Sequence, residues 1–497
     1  MAEHFVGVDV GTTGARAVVF DRDARPLAEA TREYRLYTPR PSWAEQDALE
    51  VAETVVGCLR RAARKAGLSR REPVAIGLSG TFHSILPIGS DGQPSGRALI
   101  WADTRASAEA ARIRAERDAM ALYRRTGCPI HPMYLPAKLR WLRHERGEAA
   151  GYRSIKEYVL YRLTGLWAGD LSIASGTGLL SLARREWDPE LLEIAGVRAE
   201  QLAPLVETTE VVGRLTPAAA AAAGLSPASE VVAGAGDGVL ASLGAGAIEP
   251  GQMTATIGTS GATRIVTVEP RVDERQARTW CYYLAGGLWV AGAAINNAGI
   301  AFRWTGEKLL RTGARYERVL EWAQQVAPGA GGVLFLPFLT GERAPYWNAD
   351  ARGVLFGLAI DHDHRNVARA TVEGVCYRMR SIYDAVAEVA GPVREVRVTG
   401  GFTRSPFWLQ LLADVLEQPL RVPTVQEASA VGAAALAMVG VGALTGPAEA
   451  GRFASVGPAM APDPGKREIY RRTFDLYMRT YWALQEQFRD VAAMQRG

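Results

Sequence analysis

The sequence feature that most constrains this chain is a strand–turn–strand pattern that occurs twice. Near the N terminus, the apolar residues 5–10 and 14–20 flank the turn Gly11-Thr12-Thr13-Gly14. In the middle of the chain, the turn Gly258-Thr259-Ser260-Gly261 stands between two similar apolar runs. A short turn of small residues between β-branched runs predicts a hairpin. Because the two copies match position by position, the repeat indicates two related domains.

The repeated turns have the chemistry of phosphate-binding sites, since they are rich in backbone N–H and hydroxyl donors. Asp9 lies two residues before the first turn and is a candidate ligand for magnesium. Asp237 follows a predicted strand at 231–236, where it is placed to accept the proton of an attacking hydroxyl. A third turn, Gly400-Gly401, stands between a predicted strand and a predicted helix, which allows a ligand to approach the backbone closely.

Two common nucleotide-binding patterns are absent from the sequence. There is no G-x-x-x-x-G-K-[ST] loop, and Val239 stands where a dinucleotide fingerprint beginning at Gly234 requires its third glycine. Phosphate would therefore be held by hairpin turns from two domains. Such an arrangement suits phosphoryl transfer, which depends on positioning and charge stabilisation.

Length and composition narrow the class of protein. A chain of 497 residues is too long for one core, and the Ala/Gly/Pro-rich stretch 244–251 reads as a link between domains 1–245 and 246–497. A net charge of +4 argues against a dedicated nucleic-acid binder. The four scattered cysteines form no metal or disulfide framework. With neither a signal peptide nor a membrane-length apolar run, a cytoplasmic protein is expected.

From residue 5 to about residue 440, the sequence resembles the FGGY carbohydrate kinases of the actin-like ATPase superfamily. One motif departs slightly from the family pattern, because Leu135 occupies a position where a small residue or proline is usual. The matching stretches are Asp9–Thr13 (D-x-G-T-[TS]), Gly258–Ser260, Gly400-Gly401, Leu339–Trp347, Gly353–Leu358 with Ala370–Glu373, and Lys138–Trp141.

The resemblance implies an α/β fold with two actin-like, ribonuclease H-like ATPase domains that flank a central cleft. The N-terminal domain would carry the substrate and the first phosphate turn, and the C-terminal domain would bind the nucleotide. The family phosphorylates polyols, ketoses or sugar acids with ATP and Mg²⁺. No nucleic-acid or membrane partner is expected, and a homodimer is compatible with the family.

The resemblance also assigns roles to individual residues, with Asp237 as the general base and Asp9 and Asp237 as the magnesium ligands. The expected nucleotide-binding residues are Gly11, Thr12, Thr13, Arg16, Gly258, Thr259, Ser260, Gly299, Arg303, Gly400, Gly401 and Ser405. The expected substrate-binding residues are Phe82, His83, Trp101, Asp103, Arg105, Lys138 and Asp237.

The stretches 101–105, 126–133 and 170–176 most resemble the gluconokinases of the family, so D-gluconate, converted to 6-phosphogluconate, is the expected substrate. A gluconate site needs a cation for the carboxylate. The candidates are His83, Arg105, Lys138 and His131, each of which also has a purely structural interpretation. The alternatives are a xylulokinase or another polyol or ketose kinase of the family and, more remotely, an actin-like ATPase that uses no sugar.

Overall fold

The computed structural model describes residues 2–312, 315–425 and 427–496, which fold into two compact units. The first unit combines residues 1–249, 266–291 and 425–455. The second unit combines residues 250–265, 292–424 and 456–497. Each unit is therefore built from three separate pieces of the chain. The domains 1–245 and 246–497 describe a division in chain order, and that division stays a prediction.

Strands and helices are interspersed along the chain. The strands are β1 (Phe5–Val10), β2 (Gly14–Phe20), β3 (Pro26–Glu33), β4 (Glu45–Gln46), β5 (Ala75–Gly80), β6 (Leu86–Ile88), β7 (Ala98–Leu99), β8 (Gly151–Arg153), β9 (Gly169–Asp170), β10 (Leu180–Ser181), β11 (Glu186–Trp187), β12 (Leu205–Val206), β13 (Val211–Arg214), β14 (Glu230–Gly236), β15 (Gln252–Ile257), β16 (Gly261–Thr267), β17 (Trp280–Ala285), β18 (Leu288–Ile295), β19 (Leu334–Leu336), β20 (Val354–Phe356), β21 (Glu395–Thr399) and β22 (Leu420–Arg421). The α-helices are α1 (Ala48–Lys65), α2 (Ser107–Glu116), α3 (Ala119–Thr126), α4 (Leu135–Arg146), α5 (Ile155–Thr164), α6 (Leu171–Ser175), α7 (Pro189–Ala195), α8 (Pro217–Ala223), α9 (Asp237–Gly244), α10 (Gly299–Trp304), α11 (Tyr316–Gln324), α12 (His364–Ala390), α13 (Pro406–Leu416), α14 (Ala428–Gly440), α15 (Arg467–Ala483) and α16 (Gln485–Arg496).

The main sheet of the first unit is mixed, with the strand order β13-β14-β5-β1-β2-β3. β1 and β2 form the predicted hairpin, and β1 also pairs in parallel with β5. β14 adds to β5 in parallel. Because the carboxyl ends of parallel strands meet at one edge, the residues that follow β1, β5 and β14 lie at the same edge of this sheet.

Helix α14 packs very closely on this sheet, and two glycines make that approach possible. A Cβ atom on Gly7 would lie 1.9 Å from the carbonyl oxygen of Ala430, and one on Gly77 would lie 2.0 Å from that of Ala433. Helix α1 packs on the opposite face of the sheet. Asp47 caps this helix by accepting hydrogen bonds from two backbone N–H groups. The centre of the sheet is therefore covered by apolar helix surface.

The second unit repeats the pairing pattern of the first. β15 and β16 form an antiparallel hairpin, and β15 pairs in parallel with β21, as β1 does with β5. The long helix α12 buries Arg378, whose guanidinium contacts the Glu342 carboxylate at 3.4 Å and donates to the carbonyl of Ala344 at 2.8 Å. The repeated hairpin with a parallel third strand agrees with the duplication seen in the sequence.

Some predicted elements differ from the structure in their limits. The helical periodicity of residues 467–495 predicts one helix, which the structure divides into α15 and α16 around Leu484. The apolar run 27–36 predicts a strand, and the observed strand β3 ends earlier, at Glu33. The sequence of residues 96–210 predicts mostly helix, but this segment also contains the short strands β7 to β12. Across the described residues, no helix has the length and apolarity required to span a membrane.

The close approach of β14 to β5 predicts that any side chain at Gly234 destabilises the fold. Gly234 has a φ of 71°, and a Cβ atom there would lie 1.9 Å from the carbonyl oxygen of Leu78. Gly67 has a similar φ of 69° but open space around it, so it is a matched control. Gly67→Ala should lower the free energy of unfolding by about 1 kcal/mol through backbone strain alone. Gly234→Ala should lower it by about 3 kcal/mol, because overpacking adds to the strain. Urea unfolding measures both, and equal losses would contradict this reading.

Candidate active site

The first phosphate turn, residues 11–13, has all of its carbonyl oxygens bonded to neighbouring parts of the first unit. The Tyr34 hydroxyl donates to the carbonyl of Gly11 at 2.5 Å, and the Tyr34 N–H donates to that of Thr13 at 3.1 Å. Gln46 Nε2 donates to the carbonyl of Thr12 at 2.6 Å. A phosphate is bound by donors, so engaging the acceptors elsewhere suits the predicted role of this turn.

Asp9 lies at the end of β1, level with Ser79 on β5. Its Oδ1 accepts a hydrogen bond from the Ser79 hydroxyl at 2.6 Å. Burial raises the pKa of Asp9, while the Ser79 hydrogen bond and the charge of Arg16 oppose that rise. Arg16, its cross-strand neighbour, forms an ion pair with Glu427 and donates from Nε to Thr31 Oγ1 at 2.8 Å. This carboxylate is therefore one for which a nearby cation would be favourable.

Asp237 is the first residue of α9 and comes directly after β14. The dipole of a helix favours a carboxylate at its first turn. Its Oδ1 accepts from the N–H of Gly238 at 2.6 Å, and its own carbonyl accepts from the Ser429 hydroxyl at 3.3 Å. The preceding N–H, of Gly236, donates to Ser172 Oγ at 3.2 Å. The backbone on both sides of the carboxylate is thus held by hydrogen bonds.

Phe82 and His83 follow β5 at the same edge of the sheet. The Phe82 ring occupies the space where Gly236 would carry a Cβ atom, so it packs against the backbone just before Asp237. His83 Nδ1 lies 2.7 Å from the carbonyl of Gly176, which requires Nδ1 to carry the proton. Parallel pairing of β5 and β14 therefore brings the predicted base and the predicted substrate residues together.

Two tyrosines complete an aromatic cluster that the sequence analysis did not identify. The cluster consists of Phe82, His83, Tyr134 and Tyr282, with Tyr134 and Tyr282 joined by hydroxyl groups 2.9 Å apart. The His83 ring packs edge-on against Tyr134, and the Phe82 ring packs against Tyr282 at 4.7 Å. Tyr134 directly follows the stretch 126–133 that the sequence analysis singled out, whereas Tyr282 lies on β17, far from the other three in sequence. No local pattern points to Tyr282.

Trp101, Asp103 and Arg105 stabilise the loop that carries them. The Trp101 indole donates to Thr12 Oγ1 at 2.9 Å, which connects this loop to the first phosphate turn. Arg105 is almost fully buried, and its Nη2 contacts Asp103 at 2.6 Å and Glu45 at 2.8 Å. Its guanidinium also lies 3.5 Å above the Trp43 ring. Two carboxylates therefore already balance the charge of this candidate cation, and its contact with substrate stays a prediction.

Lys138 and His131 also have protein partners. Lys138 is fully buried, and its Nζ donates to the carbonyls of His83 at 2.8 Å and Ile100 at 2.7 Å. Burial lowers the pKa of Lys138 to about 7, against the opposing charge of Asp103. His131 Nδ1 accepts from the N–H of Met133 at 3.2 Å. Of the four candidate cations, His83 is the one that directly follows Phe82, whose ring packs against the backbone just before Asp237.

The second unit contains a pocket of about 470 Å³ that brings together six of the predicted nucleotide residues. The backbone is tightly packed here, since the N–H of Gly299 donates to the carbonyl of Gly258 at 2.9 Å. A Cβ atom on Gly400 would lie 2.1 Å from the carbonyl oxygen of Ile257. The six predicted residues that line the pocket are Gly258, Thr259, Gly299, Arg303, Gly401 and Ser405. Aromatic side chains of Phe402, Trp408 and Tyr316 line it as well.

Comparisons with known proteins match most of the chain to one family. Residues 4–244 match the N-terminal domain of the FGGY family of carbohydrate kinases, and residues 253–441 match its C-terminal domain. The chain is 35% identical to a gluconokinase from Bacillus subtilis (strain 168), covering all of this chain and 99% of the relative.

Two crystal structures from Lactobacillus acidophilus have a similar fold. One is a gluconate kinase, 31% identical with a TM-score of 0.92, covering 97% of this chain and 98% of that one. The other is a ligand-bound xylulose kinase, 30% identical with a TM-score of 0.94, covering 98% and 99%. The predicted two-domain fold of the actin-like ATPase type is thereby confirmed. Because the two domain families together match residues 4–244 and 253–441, the chain belongs to the FGGY family of carbohydrate kinases, which use ATP as the phosphoryl donor.

Proposed function

We propose that this kinase transfers the γ-phosphoryl group of ATP to a hydroxyl of D-gluconate and releases 6-phosphogluconate. The observation that carries the proposal is the similarity to a gluconokinase along the full length of both chains. The aromatic cluster with His83 and the adjacent Asp237 supply a place for a small polyhydroxy acid beside a base. We infer that the enzyme works in the cytoplasm, the compartment that supplies ATP.

Asp237 is the proposed general base. Its carboxylate takes the proton from the attacking hydroxyl, which makes that oxygen a better nucleophile toward the phosphorus. Three hydrogen bonds keep Asp237 and the backbone around it in one position. The Gly236 N–H donates to Ser172, the Gly238 N–H donates to the Asp237 carboxylate, and the Ser429 hydroxyl donates to the Asp237 carbonyl. A fixed base loses little freedom when the substrate binds, which is how positioning accelerates such a step.

ATP is proposed to bind through the 470 Å³ pocket of the second unit, whose volume is within the usual range of ligand pockets. The glycine backbone at Gly258, Gly299 and Gly401 allows phosphate and ribose to approach closely. The phosphate contacts predicted for Gly11, Thr12 and Thr13 are supported by the engagement of their carbonyls with the scaffold.

Magnesium is the proposed companion of ATP, with Asp9 and Asp237 as its protein ligands. Asp9 fits this role because burial destabilises its charge and a cation would compensate for it. Among the described residues there is no cluster of three or more ligating side chains. That agrees with Mg²⁺, which is commonly held by one or two carboxylates together with water and substrate phosphates. When bound, the ion would neutralise charge on the phosphate oxygens.

His83 is the proposed contact for the gluconate carboxylate. The Gly176 carbonyl fixes the proton on Nδ1 and orients the ring. The positive charges of Arg105 and Lys138 are less suited, because Arg105 faces two carboxylates and Lys138 bonds two backbone carbonyls. With Nδ1 engaged in this way, a doubly protonated His83 would donate from Nε2 to the carboxylate, and such a charge-assisted hydrogen bond would favour an acid over a neutral sugar.

A second candidate is the phosphorylation of xylulose. The specific observation in its favour is the similarity to the L. acidophilus xylulose kinase, whose TM-score of 0.94 exceeds the 0.92 of the gluconate kinase structure. An aromatic cluster with a histidine is suitable for a neutral ketose as well as for an acid.

Substrate choice is tested by measuring ADP release with gluconate, xylulose, ribulose and glycerol at saturating ATP. We expect kcat/KM for gluconate to exceed that of each neutral compound by at least about tenfold, because a charged group is recognised. Omitting Mg²⁺ from the same assay should abolish turnover. Turnover of xylulose without turnover of gluconate would overturn the assignment in favour of the second candidate.

The role of Asp237 is tested with the Asp237→Asn variant. Loss of the general base should lower kcat by roughly 10²–10⁴-fold. Binding of ATP in the absence of Mg²⁺, measured by calorimetry, should be unchanged, since the proposed pocket is in the second unit. Asp118→Asn is the matched control, because Asp118 only caps α3 and asparagine caps helices equally well. A near-normal kcat for Asp237→Asn would rule out the assigned role.

We also infer a homodimer, supported by an exposed apolar segment in the second unit. Phe356, Leu358 and Ile360 are 48%, 57% and 105% exposed, and contiguous exposed apolar side chains commonly mark an interface. Light scattering should report about twice the chain mass of 53.5 kDa. Ile360→Asp should shift the protein toward a monomer, and a monomeric mass for the wild-type protein would contradict the inference.

A further inference from the structure

We propose that Lys138 is a positioning residue, whose buried amine holds the backbone of His83 and of Ile100 and thereby fixes the two loops that form the acceptor side of the site. This inference rests on the proposed function to the extent that His83 is taken as a substrate contact. It assigns Lys138 an indirect role, in place of direct contact with the substrate.

The contacts of Lys138 are with the protein backbone. The residue lies in the first turn of α4, and its side chain is fully buried. Nζ donates at 2.8 Å to the carbonyl of His83 and at 2.7 Å to that of Ile100. These two acceptors are 17 residues apart in the chain, so one side chain joins two separate loops.

The charge state of Lys138 agrees with such a role. Burial lowers its pKa to about 7, and the nearby Asp103 and Arg105 act in opposite directions on that value. A neutral amine has two N–H donors, which matches the two carbonyl acceptors.

The first loop needs support because His83 has a strained backbone. Its φ is 65°, a left-handed conformation that residues other than glycine adopt rarely. Such a conformation persists only where the surroundings hold it. Helix α4 supplies two of these supports, since Tyr134 at its N-cap packs against the His83 ring and Lys138 bonds the His83 carbonyl. The same helix end therefore fixes both the ring and the backbone of His83.

The second loop connects the acceptor side to the first phosphate turn. The carbonyl of Ile100 accepts from Lys138 and also from the N–H of Asp103 at 3.0 Å. Between them in sequence, Trp101 donates to Thr12 Oγ1 at 2.9 Å. Lys138 is thus connected through one hydrogen-bonded loop to the turn predicted to bind phosphate. Loss of its amine should loosen the substrate loops without changing the nucleotide pocket of the second unit.

The test compares Lys138→Met, which removes the donors at similar volume, with Lys138→Gln, which keeps two N–H donors on a shorter side chain. Leu139→Ala is the matched control, because Leu139 is its buried neighbour in the same helix and packs only in the apolar core. For the acceptor that the wild-type enzyme uses best, we expect kcat/KM to fall at least tenfold in Lys138→Met and less in Lys138→Gln. Leu139→Ala should lower thermal stability but leave KM unchanged.

Two further measurements separate positioning from direct contact and from a purely structural role. If Lys138 contacts the carboxylate, Lys138→Met will reduce kcat/KM for gluconate far more than for a neutral acceptor, which would overturn the proposal. Positioning predicts similar losses for both. The imidazole NMR signal of His83 should shift in both Lys138 variants and not in Leu139→Ala, and this readout needs no activity. An unchanged His83 signal together with unchanged kinetics would also overturn the proposal. Because the acceptor is chosen from the wild-type enzyme's own preference, the test remains valid if gluconate is not the substrate.

Discussion

The parallel pairing of β1, β5 and β14 is the interaction on which the candidate site of the first unit depends. Because all three strands end at one edge, Asp9, His83 and Asp237 meet there, although long stretches of chain separate them. The register brings Asp9 level with Ser79 and Gly236 level with Gly80. A slip of one residue would reverse the side on which each of these side chains lies. Close packing of α14 on Gly7 and Gly77 opposes such a slip, since bulkier positions would not fit beneath it.

The buried side chains of Arg105 and Lys138 in the first unit have their polar partners within the protein itself. Arg105 faces Asp103 and Glu45. Lys138 donates to two backbone carbonyls, and burial lowers its pKa to about 7. Burying an unpaired charge is costly, so these residues act as internal supports of the loops they join. In the proposed function, recognition of the acceptor falls to the aromatic cluster and to His83, whose carbonyl Lys138 holds.

Much of the site could be predicted from sequence because its motifs are local. The turns at Gly11 and Gly258 are short stretches whose donors are visible in the residue types, and six predicted nucleotide residues indeed share one pocket. Tyr282 could not be predicted, because it reaches His83 only through the inclusion of residues 266–291 in the first unit. Glu45 as a partner of Arg105 and the two carbonyls bonded by Lys138 could not be predicted either, since a cation in a sequence looks the same whether it faces a ligand or another part of the protein.

The sequence by itself determined the family, the duplicated hairpin and the identity of the phosphoryl donor, because these reside in contiguous motifs whose chemistry does not depend on distant residues. Only the tertiary structure decided how the acceptor side is built. The strained backbone of His83, the hydrogen bonds of Lys138 and the aromatic cluster all arise from contacts between segments far apart in the chain. Such contacts are set by strand register and helix packing, and neither leaves a signature in any single stretch of residues.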